Sequence, residues 1–106
     1  MEKIYNKLVR DKIPEIIIAN GEEPITYSLG ADEYKQELYK KLREEVNEFL
    51  ADESIEELAD ILEVMHGILN SKQLTFEDLE KVRKAKREKR GGFEKRIYLK
   101  MTTSRD

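Results

Sequence analysis

The sequence predicts a mostly all-α protein, an antiparallel bundle of about four helices with a small two-stranded β element beside them. Two observations predict it. Apolar residues recur with a helical period over three long stretches, and breakers or very short polar links separate those stretches. Length adds a third, since 106 residues make one domain, 1–106, with a modest core.

Asp11 is placed to cap a short first helix, with Pro14 tolerated in its first turn and Gly21 after its end. Ile13, Ile16 and Ile17 give this helix one apolar side. The alternating stretch ITYSL, Ile25 to Leu29, predicts a short strand. A long helix follows from Ala31 to about Ala51, and a second from Ser54 to about Ser71. Only Asp52 and Glu53 join them, so the two are expected to be antiparallel neighbours. Thr75 can cap a third long helix, TFEDLEKVRKAKREKR, stopped by Gly91 and Gly92. RIYLKM, Arg96 to Met101, could be a second strand that pairs with Ile25 to Leu29, though two short strands alone are marginal.

Composition narrows the function. There is no cysteine, which removes disulfides, thiolate nucleophiles and thiolate metal sites, and His66 is the single histidine. Any resident metal is therefore expected to be a hard cation held by oxygen. No apolar run is long enough to span a membrane, and the N-terminus has no secretory pattern, so a cytoplasmic location is expected. The charged fraction is 41%, yet the strong apolar periodicity argues against disorder. Residues 31–63 carry twelve acids against four bases, whereas residues 81–96 carry nine bases against two acids. The two regions could pair with each other, or hold a cation and an anion side by side.

The acidic stretch REEVNEFLADESIEELADIL raises a sharper question, namely which carboxylates face inward. With Leu38 as the origin, Leu42, Val46 and Phe49 fall within about 80° on the first long helix, Glu45 lies at about 340°, Glu48 at about 280° and Glu44 at about 240°. With Leu58 as the origin of the second, Ile55, Leu62, Met65 and Leu69 cluster near it, Glu57 lies at about 260° and Asp60 at about 200°. Each helix thus carries an i, i+3 acidic pair beside its apolar face. Buried unpaired carboxylates are costly, and a divalent cation between two converging pairs would remove the repulsion. The competing reading is plain. Ser54-Ile55-Glu56-Glu57 also fits a capping box in which Glu57 reaches back to the Ser54 amide, and acids on a charged helix are commonly solvated.

The pattern Glu44-Glu45-x-x-Glu48 followed by Glu57-x-x-Asp60 resembles the metal-binding signature of the MazG-like all-α nucleoside triphosphate pyrophosphohydrolases, a superfamily that includes phosphoribosyl-ATP pyrophosphohydrolases. The flanks KLREEVNEFL and EELADILEVMHGIL agree with it. The opening YNKLVRDKIPEII and the closing RGGFEKRIYL resemble its house-cleaning branch, so the likeness covers most of the chain. The resemblance implies a helical bundle active as a dimer or tetramer. It also implies hydrolysis of a nucleoside triphosphate, non-canonical or surplus, to the monophosphate and pyrophosphate. By position, Glu45, Glu48, Glu57 and Asp60 would ligate Mg2+ or Mn2+, and Glu44 and Glu45 would act in catalysis, Glu44 near the attacking water. Eight residues separate Glu48 from Glu57, which leaves little room for a base-binding insertion.

A triphosphate also needs donors. Lys84, Arg87 and Arg90 on the basic helix and Lys7 and Arg10 near the N-terminus are the candidates. Arg90-Gly91-Gly92 could present amides to a phosphate, or simply stop the helix. His66, at about 80° on its helix, lies away from Glu57 and Asp60 and is read as a packing or surface residue. Two other readings compete. A phosphoribosyl-ATP substrate fits the same chemistry. KVRKAKREKR could instead track nucleic-acid phosphates, but the domain is acidic overall and no aromatic platform interleaves the basic run.

Overall fold

The computed structural model describes residues 2–105. It contains four helices, α1 (Ile13–Ala19), α2 (Ala31–Asp52), α3 (Ile55–Ser71) and α4 (Phe76–Arg90), and no strand among the described residues. The all-α expectation holds, with the long helices within about one residue of their predicted limits. The chain falls into two compact units, one ending at Thr75 and the other beginning at Phe76.

The first unit is built on the α2–α3 hairpin. Its link is Glu53 and Ser54. Glu53 turns the chain in the left-handed region, φ 56°, and its N–H bonds the Phe49 carbonyl at 2.6 Å. Ser54 is the N-cap of α3, its hydroxyl accepting from the Glu57 amide at 3.4 Å. A link this short forces the helices to run antiparallel, side by side. They approach closely at Gly67, where a Cβ would stand 2.8 Å from Leu38 Cδ2 and 3.6 Å from the Tyr34 hydroxyl. Leu38 and Leu69 are the buried hydrophobics among the described residues, so the core is small and sits at this contact. A Schellman motif closes α3: the Leu74 N–H bonds the Leu69 carbonyl and the Gln73 N–H bonds that of Asn70, with Gln73 at φ 59°.

Three expectations are corrected. Asp11 does not cap α1; the N-cap is Lys12, without a side-chain cap bond, and the helix starts at Ile13 with Pro14 in its first turn. Gly21 does end it as expected, at φ 85°, in a second Schellman motif that uses the Ile17 and Ile18 carbonyls. The segments 25–29 and 96–101 are not strands. Ile25 is 98% exposed and Tyr98 91%. Their alternating apolar residues find no core to face, and a lone pair of short strands is not stable without one.

The second unit is α4 and the segment after it. Every residue from 81 to 90 is exposed. Arg83 forks onto Glu80 with two bonds of 2.8 Å on the helix surface. Gly91, at φ 84°, ends the helix with its N–H on the Arg87 carbonyl at 2.7 Å. The helix-stop reading of this glycine therefore describes its backbone role.

Candidate metal centre

Antiparallel pairing brings the middle of α2 against the first turns of α3. Glu45, Glu57 and Asp60 converge there, each offering a carboxylate oxygen within 4.8 Å of the others. Glu45 is 8% exposed, the buried charged residue among those described, and Glu57 and Asp60 are half-buried. Glu45 Oε2 and Glu57 Oε2 are buried without a hydrogen-bond partner. Only half of the capping box is made: Ser54 caps the Glu57 amide, while the Glu57 carboxylate keeps an orphaned oxygen.

Orphaned carboxylate oxygens in a low-dielectric setting hold protons or attract a cation. The Glu45 carboxyl is pushed up to about 7, first by burial, then by the neighbouring Glu48 carboxyl, which favours a shared proton and repels a second charge, and then by Asp60. Lys41 acts in the opposite sense. Glu57 is raised in the same direction, by burial first and then by Glu48, Asp60 and Asp52.

The outer carboxylates behave differently. Glu48 is solvent-exposed and lies outside the trio of converging oxygens, although its charge acts on both Glu45 and Glu57. Glu44 is half-buried, one residue before Glu45, and is also outside the trio. His66 is exposed on α3.

Two cations border the trio. Arg10 donates through Nη2 to Asp60 Oδ1 at 2.6 Å, which ties the N-terminal arm to the cluster. Lys41 Nζ stands 3.8 Å from Glu45 Oε1, with its side chain only 19% exposed. Sequence reasoning missed Lys41. The signal was present as the i, i+4 spacing of Lys41 and Glu45 on one helix, which puts the two on the same side. Lys7 is exposed on the arm, its ammonium 5.7 Å from the Tyr5 ring centre.

The remaining phosphate-donor candidates, Lys84, Arg87 and Arg90, belong to the second unit. Arg87 is paired with Glu94 at 2.9 Å across Gly92, where a Cβ would collide with both side chains. Arg83, Lys86, Arg87, Arg90 and Phe93 line an open cleft of about 570 Å³. Lys84 is exposed on the helix.

The arrangement suits a hard divalent cation. All donors are oxygens, two are desolvated and unpaired, and they come from two rigid helices. No helix among the described residues is long and apolar enough to cross a membrane. No family model and no solved structure matches the chain. A stretch of 45 residues is 51% identical to an uncharacterized protein of Mycolicibacterium smegmatis (strain ATCC 700084 / mc(2)155), covering 42% of this chain. The match spans 46% of that relative's length.

Proposed function

We propose that the protein is a magnesium-dependent nucleoside triphosphate pyrophosphohydrolase that also accepts Mn2+, and that it works as a homo-oligomer. One observation carries this reading. Glu45, Glu57 and Asp60 converge within 4.8 Å, and two of their oxygens are buried and unpaired. Four acids with this spacing on two paired helices also match the signature that the sequence resembles.

Glu45, Glu57 and Asp60 would hold the cation, with Glu48 completing the set from the solvent side. When bound, a divalent cation offsets the charge of triphosphate oxygens and acidifies a coordinated water. Glu44, adjacent on α2, would orient the attacking water and take its proton. The water oxygen attacks the α-phosphorus, the α–β anhydride bond breaks in line, and pyrophosphate leaves. Arg10 already reaches the edge of the cluster and would bind a phosphate oxygen through a charge-assisted bond.

The test is release of pyrophosphate and monophosphate from a panel of canonical and modified nucleoside triphosphates and phosphoribosyl-ATP, with Mg2+. Glu45→Gln and Asp60→Asn run in parallel, with melting temperatures measured with and without Mg2+. The expected result is turnover that both variants abolish, together with a Mg2+-dependent rise in melting temperature in the wild type alone. Absence of both turnover and the rise would assign the inward acids a structural role and overturn the proposal.

A further inference from the structure

Resting on that reading, we propose that the N-terminal arm, residues 2–12, is the base-recognition element, with Tyr5 as its stacking platform. The α2–α3 link is Glu53 and Ser54, too short to carry a pocket for a nucleobase. Recognition of the base must then come from another segment that reaches the acid cluster. The arm does so, because Arg10 reaches Asp60 at 2.6 Å. Four residues separate Arg10 from Tyr5, five Cα steps and so a tether of at most about 18 Å when extended. Asn6, at φ 46°, bends the arm between the two.

Tyr5 presents the chemistry that a base needs. The residue is 57% exposed. Lys3 and Lys7 hold their ammonium groups over the ring, 5.3 and 5.7 Å from its centre, so a stacking base displaces one of these flexible side chains. An exposed aromatic ring flanked by cations and tethered beside a site for phosphate is the combination with which proteins hold nucleotides through the π-face of the base. In this arrangement the base stacks on Tyr5 while Lys7 and Arg10 face the anionic part of the same ligand. Stacking of this kind tolerates every base, because each has a π-face. The inference therefore specifies a nucleotide ligand with weak discrimination among bases, in place of a pocket that reads one base by hydrogen bonds. Tyr27 is also exposed, at 83%, but no bond ties its segment to the cluster among those described, so it serves as the control.

Calorimetric titration tests this. The probes are an α,β-methylene nucleoside triphosphate, which resists cleavage at the anhydride in question, and inorganic tripolyphosphate, which has no base. Both are titrated with Mg2+ into wild type, Tyr5→Ala, Tyr5→Phe and Tyr27→Ala. Tyr5→Ala is expected to weaken the nucleotide about tenfold or more and leave tripolyphosphate unchanged. Tyr5→Phe and Tyr27→Ala should keep wild-type affinity for both. Equal losses for the two probes, or no loss for either, would overturn the role of Tyr5 while leaving the hydrolase reading intact. Failure of wild type to bind either probe would remove the hydrolase reading, and this inference with it.

Discussion

Arg10 Nη2 lies 2.6 Å from Asp60 Oδ1, so the same carboxylate that faces Glu45 and Glu57 is held by a guanidinium from the N-terminal arm. A cation between the three acids and the Arg10 charge compete for Asp60. Arg10 is 57% exposed, so solvent screens the pair and its contribution to stability is at most about 1 kcal/mol. Arg10→Ala is expected to leave the melting temperature nearly unchanged, to tighten Mg2+ binding about two- to fivefold, and to raise KM for the nucleotide. Titration of Mg2+ into the free protein checks the first link, and steady-state kinetics the second. Weaker Mg2+ binding in the variant would show that Arg10 positions Asp60 and does not compete for it.

The raised carboxyls of Glu45 and Glu57 make metal-free stability depend on pH with a defined sign. An acid whose pKa is higher in the folded state keeps its proton in the fold over a range where the unfolded chain has lost it. The fold is therefore favoured at low pH and loses that advantage as pH rises. For Glu45 the window runs from its ordinary value of 4.5 to about 7. Burial of this residue makes the effect at most about 3 kcal/mol, and Glu57 acts in the same direction. Denaturant melts in EDTA should show stability falling from about pH 5 to pH 7, a trend that Glu45→Gln flattens. In millimolar Mg2+ the trend should shrink or reverse, because cation binding favours the ionised carboxylates. A pH-independent midpoint in EDTA would mean that Glu45 ionises freely in the fold.

The α2–α3 link supplies a prediction that is independent of any ligand. Glu53 sits at φ 56°, ψ 25°, a conformation that a side chain makes costly and that glycine adopts readily. Glu53→Gly is expected to raise stability by about 0.5–1 kcal/mol, seen as a gain of roughly 3–6 °C in melting temperature. The gain should be equal in EDTA and in Mg2+, since Glu53 is exposed and outside the acid cluster. A larger gain in Mg2+ would couple the link to the site.

How much of this was legible in the sequence varies with the range of the interaction. The limits of α2 and α3 were readable because apolar period, the Ser54 cap and the short link all agree at neighbouring positions. Inward placement of Glu45 followed from helical phase alone, since about 340° puts it against the edge of the apolar stripe. The same phase put Glu48 at about 280°, roughly 80° outside the stripe, and the structure exposes it. Segments 25–29 and 96–101 alternate like strands, but strand formation needs a partner and a core, and neither is encoded in the alternation. The Arg10–Asp60 bond joins residues fifty apart in the chain, and nothing local in either segment announces it.

The exposed face of α3 leads to the last prediction. Ile55 is 75% exposed, Leu58 47% and Leu62 43%, and their spacing makes one apolar stripe along the helix. A second copy of the chain carries the same stripe, and packing the two against each other buries both at once. Leu62→Glu is expected to convert an oligomer into a monomer in light-scattering measurements at tens of micromolar. The acid cluster draws all three of its carboxylates from one chain. The monomeric variant should therefore keep its Mg2+-dependent rise in melting temperature. Loss of that rise together with the oligomer would show that assembly shapes the cluster itself, whereas a wild-type protein already monomeric at this concentration would rule out the stripe as an interface between copies.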